Sequence, residues 1–160
     1  GLGDVYKRQL FGCEIAAYDL FPKKNAPEYL HYGTLEEVLS KSDIVTLHCP
    51  LTEDSRNLIN QDRIAQMKKG AILINAARGP IVDSKALADA LNSGYLRGAG
   101  VDVFEMEPPL PMDHPLLHSI NTIVTPHIAF ASDESMEIRA EIVFENIQKW
   151  MNKEQVNIIL

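Results

Sequence analysis

An arginine, a carboxylate and a histidine each follow a short apolar run in the second half of this sequence. The stretches are Asn75-Ala-Ala-Arg78-Gly79-Pro80, Val101-Asp102-Val103-Phe104-Glu105-Met106-Glu107-Pro108 and Thr125-Pro126-His127-Ile128-Ala129. A guanidinium grips an anion with a planar two-pronged contact that lysine cannot reproduce. An imidazole exchanges protons near neutral pH. A carboxylate alongside modifies that exchange. Such a set suits proton-coupled chemistry on a small carbonyl or hydroxy acid. Each residue also has an ordinary reading: Arg78 as a turn residue set by Gly79-Pro80, His127 as a structural histidine after a proline, Asp102 as a cap.

The elements that must hold these residues alternate between apolar runs and amphipathic segments. That pattern predicts an α/β fold with a parallel sheet flanked by helices. Strands are expected over 15–18, 43–47, 71–75, 98–103 and 121–125. A capping box at Thr34-Leu-Glu-Glu37 predicts a helix to about Ser40. Asn60 is expected to cap a helix to Lys69, with Gly70 as its stop. Asp83 is expected to cap another, with Leu87, Ala90 and Leu91 on one face and Gly94 at its end. The proline-rich stretch from Glu105 to His118 reads as a loop. Ser132 opens the longest helix, to about Asn152, and Asp133 and Glu134 complement its dipole. Ligands of an open α/β sheet lie outside the carboxyl ends of its strands, which is where Arg78, Asp102 and His127 fall.

Composition narrows the class. At 160 residues, 46% of them hydrophobic and 23% charged, the chain is the size of one domain and can build a core. A net charge of −7 and a pI near 5.2 argue against nucleic acid or an anionic membrane as partner. No apolar run approaches the roughly 20 residues that span a bilayer. Cys13 and Cys49 lie far apart and suggest neither a disulfide framework nor a metal cluster. A cytoplasmic protein without bound metal is the expectation.

The three stretches, joined by Tyr18-Asp19-Leu20-Phe21-Pro22 and His48-Cys49-Pro50-Leu51-Thr52, resemble those of the D-isomer-specific 2-hydroxyacid dehydrogenases. That superfamily includes D-lactate, glycerate and phosphoglycerate dehydrogenases and the C-terminal-binding-protein corepressors. The resemblance runs from about Phe11 to Trp150. It implies a doubly wound, Rossmann-like NAD-binding domain and hydride transfer between nicotinamide and a D-2-hydroxy acid or 2-keto acid. It further implies a homodimeric full-length protein. Carried over residue by residue, Arg78 binds the substrate carboxylate, His127 is the acid/base and Glu107 hydrogen-bonds its imidazole. Glu105 is a rival carboxylate, but Glu107-Pro108 is the family pairing.

The cofactor contacts implied are Asp19 on the adenosine ribose and Cys49, Pro50 and Thr52 around adenine and ribose. Ala76, Ala77 and Arg78 follow, then Asp102 on the nicotinamide carboxamide, His127, Ala129 and Phe130. A carboxylate at Asp19 repels a 2′-phosphate and favours NAD over NADP. Ala129 and Phe130 replace two glycines common in relatives, and the aromatic Phe130 could wall the nicotinamide side. His31, His114 and His118 match no catalytic position and are expected at the surface or in loops.

Gly1-Leu2-Gly3 resembles the opening of a dinucleotide fingerprint, so Gly1 and Gly3 are candidate cofactor contacts. Tyr6 stands where a third glycine belongs, and Asp19 comes sooner than the usual spacing of about 20 residues. Asp4 to about Leu10 is too short for a crossover of at least about 10–12 residues. The expectation is a fragment lacking its first strand. Residues 1–152 would be the NAD-binding domain, truncated or damaged over 1–10, and 153–160 the start of a return to a missing substrate domain. Two alternatives stand beside the dehydrogenase. One is an NAD-sensing, corepressor-like regulator. The other is an S-adenosylhomocysteine-hydrolase-like enzyme, against which the arginine–glutamate–histidine set argues.

Overall fold

The computed structural model describes residues 11–107 and 109–158. The chain divides into two compact units, 1–126 and 127–160.

Among the described residues of the first unit every strand pairing is parallel. Strand β1 (Ile15–Ala17) pairs with β2 (Leu30–Tyr32) in a two-stranded sheet. Strands β3 (Ile44–Leu47), β4 (Ile72–Asn75), β5 (Gly98–Val101) and β6 (Thr122–Val124) lie in that order in a second sheet. The expected parallel α/β sheet is present as two ladders, and among the described residues none joins β1 to β3. The expected loss of a first strand, and the readings of Gly1, Gly3 and Tyr6, fall outside the described residues.

Alternation along the strands decides which side chains form the core. Val45, Leu47, Leu73, Asn75, Ala99 and Val101 point to one face and are buried. Helices α1 (Leu35–Lys41), α2 (Gln61–Gln66) and α3 (Ser84–Asn92) add Leu39, Ile64, Leu87 and Leu91 to the same core. Within this unit the opposite face leaves Ile44, Ile74 and Ile123 exposed.

The helix starts follow the sequence. Thr34 accepts from the Glu37 amide while Glu37 accepts from the Thr34 amide, 3.2 and 2.9 Å. Asn60 accepts from the Arg63 amide at 3.0 Å and Asp83 from the Ala86 amide at 2.9 Å. Gly94 takes a left-handed φ of 71° beyond α3, a conformation that costs glycine little.

Three local expectations are corrected. Helix α2 ends at Gln66, not Lys69, because Met67 turns to extended backbone and buries its side chain in the core. The Tyr95 hydroxyl then donates to the Met67 carbonyl at 2.7 Å, and the chain reverses at Gly70, φ 82°. Strand β5 stops at Val101 rather than Val103. Strand β2 was not expected at all; its three residues around His31 carry too little pattern to be read alone.

In the second unit, α4 (Asp133–Met151) starts on a Ser132 capping box with Ser135, 3.2 Å from the Ser135 amide to the Ser132 hydroxyl. Asn152 ends it as expected.

Candidate active site

Arg78 lies on the turn after β4, and that turn is built by Asn75. This asparagine is 1% exposed. Its carbonyl accepts from the Ala77 amide at 3.1 Å and its amide donates to the Arg78 carbonyl at 3.0 Å. A buried amide satisfied on both sides holds its backbone partners rigidly, because leaving either group unpaired would be costly. The guanidinium is exposed and its Nη1 donates to the Ala77 carbonyl at 2.6 Å. A 3-10 turn, Gly79–Ile81, follows. Gly79 is buried against the segment leaving β5: a Cβ there would stand 1.8 Å from the Phe104 carbonyl.

Asp102 directly follows β5 on the same sheet edge. It is buried, its amide donates to the Asn75 carbonyl at 2.9 Å, and its Oδ1 accepts from the Thr125 hydroxyl at 2.5 Å. Thr125, just past β6, therefore ties two neighbouring strand ends together. Glu107 lies further along the segment after β5, on an exposed stretch.

Glu105, the rival carboxylate, is already engaged. Its Oε2 accepts from the Ser84 hydroxyl at 2.9 Å, and its Oε1 is 3.1 Å from His114 Nε2. Burial pushes its carboxyl upward, but hydrogen bonds from the backbone, Ser84 and His114 outweigh it and hold the group below its ordinary value. His114 is in the loop as expected but not at the surface. It is 5% exposed, set edge-on to Phe104 at 5.3 Å, and accepts from the Leu116 amide at 3.3 Å.

The other candidates spread along the carboxyl ends of the strands. Cys49 and Pro50 follow β3. Ser55, buried, shapes their loop by donating to the Pro50 carbonyl and accepting from the Thr52 amide, both at 2.7 Å. Burial raises the Cys49 thiol above its ordinary value, partly opposed by a backbone hydrogen bond, which disfavours the nucleophilic thiolate. Ala77 is buried in the turn core and Ala76 is exposed. Asp19 follows β1, in the other sheet. Its Oδ1 accepts from the Phe21 amide at 2.8 Å, and it borders an open pocket of about 560 Å³ with Tyr18, Tyr32, Thr34 and Arg63. Among the described residues no group of three or more His, Cys, Asp or Glu could hold a metal ion.

His127, Ala129 and Phe130 belong to the second unit. His127 adopts a left-handed φ of 58°, which a non-glycine residue keeps only when its surroundings impose it. Its ring meets Phe130 edge-on at 6.1 Å, and the Arg139 guanidinium lies 5.1 Å from the centre of the Phe130 ring. Phe130 thus has a local packing role between an imidazole and a cation.

Asn75, Ser55, Thr125 and His114 were not among the expected functional residues. Asn75 had a signal, a polar residue closing a buried strand. The other three act through partners that spacing does not reveal.

Known proteins resemble this chain in sequence and fold. Residues 5–129 match the NAD-binding domain of D-isomer-specific 2-hydroxyacid dehydrogenases. A hydroxypyruvate reductase of Blautia hydrogenotrophica is 39% identical over 94% of this chain and 47% of its own length. A glyoxylate reductase of Korarchaeum cryptofilum is 45% identical over 86% of this chain and 42% of its own length. The crystal structure of D-lactate dehydrogenase from Aquifex aeolicus, complexed with NAD and lactic acid, superposes with a TM-score of 0.85 at 32% identity, covering 93% of this chain and 49% of that one. The chain therefore spans about half the length of these relatives. With the family's profile matched over most of its residues on a parallel α/β scaffold, this chain belongs to the D-isomer-specific 2-hydroxyacid dehydrogenases and corresponds to their NAD-binding domain.

Proposed function

We propose that this chain is the cofactor-binding half of an NAD-dependent dehydrogenase interconverting a D-2-hydroxy acid and its 2-keto acid. The observation that carries the proposal is the strand-edge assembly around Arg78. A buried asparagine sets the arginine's turn, and the segment leading to Glu107 crosses directly over Gly79. In this reading residues 1–152 form the NAD-binding domain, and 153–160 lead toward a substrate domain that supplies the rest of the pocket.

The residues fit the cofactor. Asp19 at the end of β1 presents a carboxylate beside an open pocket suited to a ribose. Arg63 also borders that pocket, and its Nη1 donates to the Leu58 carbonyl at 3.1 Å. The cofactor, when bound, would supply the hydride as NADH or accept it as NAD+. Arg78 holds the substrate carboxylate in a two-pronged contact. His127 gives its proton to the oxygen that becomes the hydroxyl, and takes it back in the oxidative direction. Glu107 orients the imidazole. Asp102, locked by Thr125, meets the carboxamide of the nicotinamide, while Cys49, Pro50, Thr52, Ala76, Ala77, Ala129 and Phe130 line the cofactor. The proposal includes a homodimer, which the family resemblance supports, and a cytoplasmic location, which the composition supports; sedimentation and fractionation test them.

The protein that carries this chain together with its substrate domain is assayed with NADH or NADPH and a panel of 2-keto acids, including glyoxylate, hydroxypyruvate and pyruvate. Oxidation of NADH with keto-acid reduction is expected, and tighter binding of NADH than NADPH. NADH binding without turnover of any acid would favour the corepressor-like regulator. Equal or tighter NADPH binding would overturn the role of Asp19.

A further inference from the structure

The loop that carries Glu107 is clamped by groups the proposed chemistry does not use. Glu105, two residues before Glu107, receives the Ser84 hydroxyl on one carboxylate oxygen and faces His114 Nε2 with the other. His114 is itself held on two sides. Phe104 packs edge-on against its ring, the Leu116 amide donates to its Nδ1, and Leu116 anchors the following 3-10 turn (Pro115–Leu117) in the core. A nitrogen that accepts an N–H carries no hydrogen of its own. The ring hydrogen therefore sits on Nε2, directed at Glu105. The contact closes a ring of chain from Glu105 to His114, with Glu107 inside it.

We propose that His114 is a positioning residue for Glu107: by donating to Glu105 it pins the loop against the start of α3 and so fixes where Glu107 stands. This rests on the reading of Glu107 as the partner of His127. Two residues of chain reach no more than about 7 Å, so an anchored Glu105 leaves Glu107 little room to wander. Gly79, pressed against Phe104, fixes the other end of the same short segment.

The two ring nitrogens have separate duties, and two substitutions separate them. In His114→Asn the amide oxygen replaces Nδ1 as acceptor for Leu116, and the donor to Glu105 is lost. In His114→Gln the amide nitrogen replaces Nε2 as donor to Glu105, and the Leu116 contact is lost. Both are measured in the full enzyme with NADH and its best keto acid. His114→Asn is expected to lower kcat by about 10- to 100-fold, the scale of a misplaced catalytic group, with NADH affinity unchanged. His114→Gln is expected to recover most of kcat while melting at a lower temperature. Glu105→Ala, at a partly exposed side chain, provides a second route should His114→Asn not fold; it is expected to reproduce the kcat loss, and the double variant to be little worse than either.

Unchanged kcat in His114→Asn or Glu105→Ala overturns the proposal, as do equal losses in His114→Asn and His114→Gln. Arg78→Lys and His127→Asn serve as controls. If these retain full turnover, the underlying assignment of the site has failed rather than the clamp.

Discussion

Gly79 and Phe104 touch backbone to backbone: a single carbon added to Gly79 would lie 1.8 Å from both the carbon and the oxygen of the Phe104 carbonyl. Two strand-end segments, one bearing Arg78 and the other leading to Glu107, can approach this closely only because position 79 has no side chain. The φ of Gly79 is not among the positive values, so close approach, not backbone freedom, demands the glycine.

Gly79→Ala should therefore separate the two segments. The strain should cost about 1–3 kcal/mol of stability, as overpacking does, and kcat should fall by more than the loss of folded protein accounts for. Denaturant melts and kinetics on the same preparation check this. An alanine variant with normal stability would mean the contact yields easily.

Arg78→Lys keeps the charge and loses the fork. The expected loss is about 1.5–3 kcal/mol of transition-state stabilisation, the scale of a hydrogen bond to a charged group. The ratio of kcat/KM values for the 2-keto acid reports it directly. Near-normal efficiency would show that another group holds the substrate carboxylate.

Glu107 and His127 should behave as one unit. His127→Asn should cost roughly 10²–10⁴-fold in rate, the usual contribution of a general acid. Glu107→Gln should cost less. Because both act on one proton transfer, the double variant should be scarcely slower than His127→Asn alone. Additive losses in kcat would contradict the pairing.

Acid should selectively weaken the Glu105 clamp. The folded protein holds this carboxyl below its ordinary value near 4.5. Its contribution to stability is thus present above that value and is lost as pH falls through the lower folded pKa. Glu105→Gln removes the charge at every pH. The gap in melting temperature between wild type and variant should be constant near neutrality and close below about pH 4.5. A gap that persists at low pH would mean that the stabilisation does not come from the ionised carboxylate.

What the sequence determined by itself is local. Thr34, Asn60, Asp83 and Ser132 cap helices through amides three residues away, so each partner is visible a few letters along. Strands at 43–47 and 71–75 were legible as short apolar runs, and it is the pleat of a strand that then puts Val45, Leu47, Leu73 and Asn75 on one buried face. The candidate chemistry was legible because Arg78 and Asp102 close apolar runs, and a parallel strand must end on the ligand edge. Tertiary structure decided everything that depends on a distant partner. Met67 leaves α2 early for the core and meets Tyr95, 28 residues on. His114 is drawn out of solvent by Phe104 and Glu105, and Glu105 is taken from the list of free carboxylates by Ser84, 21 residues before it. The division into two parallel sheets likewise follows from which strands find a neighbour. Caps and alternation are written in adjacent residues, whereas packing depends on which of many remote surfaces buries the most apolar area and satisfies the most polar groups, and only the folded chain settles that choice.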